Sequence, residues 1–150
     1  MIHWNKIDEV LDFAISEEEA AAEFYSGLAE RAEHHSMREV FEGFAGEELG
    51  HKVKLLAVKA GDVAMGAEGD VPDLKIADYL VDVVPKSDMS YQDALIVAMK
   101  KEKAAFKLYQ DLASTVQDEK VKAVFLALAQ EEAKHKLHFE IEYDNLLTED

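Results

Sequence analysis

The chain has 150 residues, 32 acidic against 16 basic, for a formal charge of −16, and it contains no cysteine. The length suits one domain with a core large enough to fold alone. The charge argues against nucleic acid and anionic membrane as partners, since both need a cationic face, and the missing thiols exclude disulfides, thiolate zinc sites, iron–sulfur clusters and thiol catalysis. No apolar run approaches the roughly 18 residues of a membrane span. The opening residues, Met1-Ile2-His3-Trp4-Asn5-Lys6, lack the apolar stretch of a secretion signal. The expectation is a soluble, cytoplasmic protein.

The first long segment of helix formers runs from Asn5, a plausible cap, to His34. A second helix is expected from Ser36, with Ser36 and Glu39 in a capping-box pattern, to near Gly61. A connection from Gly61 to Met89 follows. It begins Gly-rich (Gly61, Gly66, Gly69), holds the only prolines, Pro72 and Pro85, and carries an apolar patch, Ile76 to Val81, read as a short helix. The third helix is expected from Ser90, with Asp93 three residues on, to Thr115. The fourth runs from after Asp118 to Leu147. Short loops near His35 and Gln117 make each pair an antiparallel hairpin, and the long connection can cross the end of a bundle. The reading is an all-α four-helix bundle in one domain over 1–150: hairpin 5–60, crossover 61–89, hairpin 90–147.

The two halves repeat. Shifting the sequence by 84 positions aligns Glu18 with Glu102, Tyr25 with Tyr109, Glu47-Glu48 with Glu131-Glu132, and His51-Lys52 with His135-Lys136. From Val10 to Leu56, 15 of 47 positions are identical without a gap. One carboxylate set per half suggests a pseudo-twofold site that both halves complete.

Steps of three and four trace one face of each helix. The first gives Ala14, Glu18, Ala21, Tyr25 and Leu28, and the second Phe41, Phe44, Glu48, His51, Leu55 and Val58. The third gives Leu95, Ala98, Glu102, Ala105, Tyr109 and Leu112, and the fourth Val121, Phe125, Leu128, Glu132, His135 and Phe139. Each seam is apolar apart from a mid-helix Glu or Glu-x-x-His pair. An ionised carboxylate in a bundle core costs several kcal/mol unless paired, and no Lys or Arg shares these seams. Two divalent cations would balance four carboxylates, and the imidazoles would add neutral ligands. Such a mixed set suits iron or manganese better than soft metals. Glu and His at i and i+3 aim at one point from adjacent turns.

These motifs, Glu18-x-x-Ala21-x-x-x-Tyr25 with Glu48-x-x-His51 and Glu102-x-x-Ala105-x-x-x-Tyr109 with Glu132-x-x-His135, resemble the ferritin-like superfamily and, within it, the rubrerythrin branch. One Glu from each of two helices plus Glu-x-x-His from each of the other two is the known ligand set of di-iron carboxylate bundles. The resemblance implies that Glu18 and His51 bind one iron, Glu102 and His135 the other, and that Glu48 and Glu132 bridge them. Tyr25 and Tyr109 would hydrogen-bond ligand carboxylates. Rubrerythrins usually also carry a rubredoxin-like domain with four cysteines, absent here, so an external electron donor protein is implied. They often have a further carboxylate one turn beyond the third-helix Glu. That position is Ala105, and its counterpart is Ala21, which leaves a more symmetric six-ligand site.

Three functions compete. The favoured one is a diiron oxidoreductase of peroxidase or ferroxidase type, reducing hydrogen peroxide or dioxygen in oxidative stress defence. The second is ferroxidase-coupled iron storage or buffering. The third is a non-redox bundle holding zinc or manganese. A homodimer is expected. Glu17, Glu19, Glu47 and Glu131 are read as solvated, as are His34, His35 and His138; no partner suggests itself for His3.

Overall fold

A computed structural model describes residues 7–61, Tyr79 and residues 89–148. Four α-helices account for nearly all of these: α1 (Ile7–Arg31), α2 (His35–Lys59), α3 (Tyr91–Thr115) and α4 (Glu119–Thr148). The predicted Asn5 cap, His3 and most of the crossover, including all of the expected 76–81 helix except Tyr79, lie outside the described residues.

The ends follow local chemistry. Ser90 caps α3 by accepting a hydrogen bond from the Asp93 amide at 3.0 Å. Asp118 caps α4, its Oδ1 accepting from Lys120 and Val121. Gly61 takes the left-handed conformation, φ 84°, just past α2, where only glycine is free of a Cβ penalty. The capping box expected at Ser36 does not form. The cap is His34, which makes no side-chain cap bond. Its carbonyl already accepts from the Met37 and Arg38 amides, both at 3.1 Å, so Ser36 is drawn inside the first turn. The first helix likewise stops at Arg31, short of the expected His34.

Each helix packs on two neighbours. α1 lies along α2 and α3 along α4, and the hairpins meet through α1–α3 and α2–α4; the diagonal helices touch across the core through side chains, Tyr25 of α1 with Phe139 of α4 and Phe41 of α2 with Tyr91 of α3. Every neighbouring pair is antiparallel, as cross-links between residues of rising and falling number show: Glu19 with Lys52, Tyr91 with Glu142, Tyr25 with Glu102, and Glu47 with His135. The resulting bundle has a pseudo-twofold axis through its middle.

Two apolar clusters fill the interior. One gathers Leu11, Leu55, Val58, Leu108, Leu112, Phe125 and Leu128. The other gathers Leu28, Phe41, Phe44, Leu95 and Phe139, with Phe41 stacked on Phe139 at 5.5 Å. Fully burying side chains of this size stabilises by about 1.5–3 kcal/mol each. The six seam Glu and His residues are buried along with them.

Candidate metal centre

All six sequence-predicted residues meet. Glu18, Glu48, His51, Glu102, Glu132 and His135 are each at most 2% exposed. Their ligand atoms form two overlapping groups. Glu18, Glu48, His51 and Glu132 make one, Glu48, Glu102, Glu132 and His135 the other, with the atoms of each group within 4.8 Å of one another. Glu48 and Glu132 belong to both. The helical i, i+3 step carries the pairs Glu48–His51 and Glu132–His135 inward from adjacent turns of α2 and α4, while α1 and α3 supply one Glu each.

One atom of each residue is left without a hydrogen bond: Oε2 of Glu18, Oε1 of Glu48, Nδ1 of His51, Oε2 of Glu102, Oε1 of Glu132 and Nδ1 of His135. Buried polar atoms are rarely orphaned, and six at one point require an account. Nδ1 of His51 lies 3.1 Å from Oε1 of Glu132 and Nδ1 of His135 lies 3.2 Å from Oε1 of Glu48, contacts that only protonated rings could turn into ion pairs. With the rings neutral, a pair of cations supplies the account, since all six atoms are then electron-pair donors and no Lys or Arg is among them.

The surrounding groups orient this set across the twofold. The Tyr25 hydroxyl on α1 donates to Glu102 on α3, and the Tyr109 hydroxyl on α3 donates to Glu18 on α1. The imidazoles are held from behind: Nε2 of His51 bonds Glu131, and Nε2 of His135 bonds Glu47 Oε2 at 2.8 Å. An Nε2–H donated outward fixes the tautomer and leaves the Nδ1 lone pair facing inward. This corrects the reading of Glu47 and Glu131 as merely solvated. Both stand at the α2–α4 surface, but their carboxylates reach the ligand imidazoles. The signal was in the sequence, because each Glu directly precedes a seam Glu and repeats across the halves. Its meaning needed the antiparallel α2–α4 pairing, which sets Glu47 against His135 and Glu131 against His51.

Electrostatics agree with a site short of positive charge. Burial, with the nearby Glu18 and Glu102 carboxylates, pushes Glu48 up to about 8. Burial and the neighbouring Glu102, Glu18 and Glu48 carboxylates push Glu132 well above its usual range, and burial also raises Glu102. For His51 burial works downward, but the facing carboxylates win and hold it at about 9; the same contest leaves His135 at about 10. Burial and facing carboxylates keep both tyrosines protonated far above their ordinary value. Protons are gathered where cations could sit.

A cleft between α1 and α3 reaches Glu18, Glu48, Glu102 and Glu132 but neither histidine, and Ala21, Ala105, Glu17 and Lys101 also line it. Its water-accessible volume is about 20 Å³, room for roughly one water-sized molecule. Glu17, read from sequence as solvated, is half-buried here: burial raises its pKa and Lys101 works against the rise. Glu19, His34, His35 and His138 are exposed as expected. No helix among the described residues is long and apolar enough to cross a membrane.

Comparison with known proteins adds the relationship. No functionally curated protein matches the chain. A hypothetical protein from Pyrococcus furiosus, of known structure, is 30% identical over 93% of this chain and 89% of its own, with a TM-score of 0.74. A protein from Thermotoga maritima, named as a candidate ferritin-like diiron-carboxylate protein, superposes with a TM-score of 0.80 at 18% identity, covering 96% of this chain and 98% of that one. It shares the ferritin-like bundle. The family model described as Rubrerythrin matches residues 9–69 and 93–148, spanning both hairpins and all six buried Glu and His residues. The chain belongs to the rubrerythrin family.

Proposed function

We propose that the bundle holds two iron ions and reduces hydrogen peroxide or dioxygen, with electrons from an external donor protein. Glu18 and His51 would hold one ion and Glu102 and His135 the other, with Glu48 and Glu132 available to both. The observation that carries this reading is the set of six orphaned buried atoms, one from each residue, in two groups that share Glu48 and Glu132. Four carboxylates balance two divalent cations, and the oxygen–nitrogen donor set suits iron, with manganese the nearest alternative.

Two bound irons would supply two electrons and Lewis acidity to an O–O bond. Reduction of hydrogen peroxide to two waters would consume two electrons, supplied in net by the external donor, and two protons. The chain's own groups set the conditions. Glu131 and Glu47 hold the imidazoles so that Nδ1 faces inward, and Tyr25 and Tyr109 hold one oxygen each of Glu102 and Glu18. The cleft, about 20 Å³ in volume, favours a molecule the size of peroxide or dioxygen over an organic substrate.

The test is elemental mass spectrometry on protein reconstituted anaerobically with Fe(II), followed by rapid mixing with peroxide. About two irons per chain, oxidised at once with a new near-ultraviolet band, is the expected result. Two metals retained without any response to peroxide or dioxygen would leave the site standing and remove the redox function. Failure to retain iron or manganese would remove both.

A further inference from the structure

The cleft that reaches the buried carboxylates has walls from α1 and α3 and a floor from Glu48 and Glu132. One residue that lines it belongs to none of the four helices. It is Tyr79, the one described residue between Gly61 and Met89. Connections run over the surface, and a tyrosine on one ordinarily keeps contact with water. This ring is only 3% exposed and joins the apolar cluster of Leu108, Leu112 and Phe125.

Two groups of α3 hold it there. The Tyr79 hydroxyl donates to Oδ2 of Asp111 at 2.7 Å. Nζ of Lys107 lies 4.9 Å from the ring centroid, a cation–π contact, and donates to the same Oδ2 at 3.0 Å. Cation, ring and carboxylate thus fix one another. The internal repeat supplies a control. The α1 positions equivalent to Lys107 and Asp111 are Glu23 and Gly27. Glu23 brings no cation to a ring, and Gly27 brings no acceptor to a hydroxyl, so this anchor belongs to α3 alone.

We propose that Tyr79 sets the size limit for molecules that reach the centre, admitting hydrogen peroxide and excluding alkyl hydroperoxides. The inference rests on the peroxide-reducing reading of the site. Reaction chemistry does not separate the two oxidants. Hydrogen peroxide gives two waters, and an alkyl hydroperoxide gives one alcohol and one water, each for two electrons from the donor and two protons. Size separates them. The cleft is about 20 Å³ in volume, room for roughly one water-sized molecule, and a tert-butyl group does not enter while the ring is in place. The helices that form the walls are fixed by the bundle, and the floor is the ligand set. The Tyr79 ring is the part of the lining that one substitution removes without touching a helix or a ligand.

The test mixes the full chain, loaded anaerobically with Fe(II), with hydrogen peroxide or tert-butyl hydroperoxide in a stopped flow. The wild type is expected to be oxidised by hydrogen peroxide and far more slowly by the alkyl compound. Tyr79→Ala is expected to raise the alkyl-to-hydrogen-peroxide rate ratio at least about tenfold, the low end of discrimination by pocket size. Asp111 is partly exposed on α3, so Asp111→Ala spares the core and is expected to move the ratio the same way by less. A second readout needs neither metal nor reaction. Metal-free crystals of Tyr79→Ala under xenon pressure are expected to hold xenon in the cleft, and wild-type crystals are not. A wild type oxidised equally fast by both peroxides, a ratio unchanged in both variants, or equal xenon occupancy in wild type and variant would each overturn the proposal. A centre that neither peroxide oxidises would remove the redox reading by itself, and xenon confined to Tyr79→Ala would still support the size limit.

Discussion

Nε2 of His135, on α4, lies 2.8 Å from Oε2 of Glu47, on α2. The mirror bond joins His51 on α2 to Glu131 on α4. Each imidazole is thus oriented by the helix that does not carry it. Removing one carboxylate frees one ring to rotate and lowers its basicity. Glu47→Ala and Glu131→Ala are each expected to weaken metal binding about 10–100-fold, measured by competition with a chromophoric chelator. Wild-type affinity in both variants would mean that these bonds do not orient ligands.

Glu48 and Glu132 serve both halves of the centre, so losing either affects both metal positions. Glu48→Ala or Glu132→Ala is expected to leave at most one metal per chain by elemental analysis, and Glu19→Ala, an exposed neighbour of Glu18, to leave two. The metal-free proteins should show the reverse order of stability. Glu48→Gln removes a carboxylate that burial penalises, so its melting point without metal should rise, by an amount corresponding to about 1 kcal/mol or more.

Acidity has a definite sign here. Burial and the neighbouring carboxylates push Glu48 up to about 8 in the folded chain against an ordinary 4.5, and the facing carboxylates hold His51 at about 9 against 6.5. Between the two values of each group the folded chain binds more protons than the unfolded one, so metal-free stability falls as pH rises through that window. The metal-free protein is expected to melt at least about 5 °C lower at pH 9 than at pH 5, the size of a shift near 2 kcal/mol. Metal displaces those protons, so metal affinity should climb over the same range and loading should acidify a weakly buffered solution. A melting point that is flat in pH without metal would show that the buried acids are neutralised in another way.

Access can be separated from binding. Ala105 lines the cleft between α1 and α3 and faces no ligand bond. Ala105→Phe is expected to slow oxidation of the reduced centre by peroxide at least about tenfold, about 1.4 kcal/mol in the barrier, with two metals retained. Stopped-flow absorbance on the reconstituted variant measures it. An unchanged rate would place the route to the centre elsewhere.

Much of this architecture was legible in the order of residues. The seam periodicity placed all six ligand candidates because a buried Glu or His on an apolar stripe has no cheap alternative to a shared partner. The caps at Ser90 and Asp118 were legible for the same local reason, a side-chain oxygen within reach of free amides. Ser36 was misread because the backbone carbonyl of His34 satisfied those amides first, a choice that sequence pattern does not register. Glu47 and Glu131 were missed because the spacing within one helix says nothing of what the facing helix brings. Their role appears only when residues 88 and 80 positions apart are set side by side.

The crossed bonds between hairpins also bear on how the chain reaches this state. Glu18 is held by Tyr109, Glu102 by Tyr25, His51 by Glu131 and His135 by Glu47. An isolated hairpin would present two acids and an imidazole on its oily side with every one of those partners missing. The join between the two hairpins is therefore what gives these buried acids and imidazoles their partners.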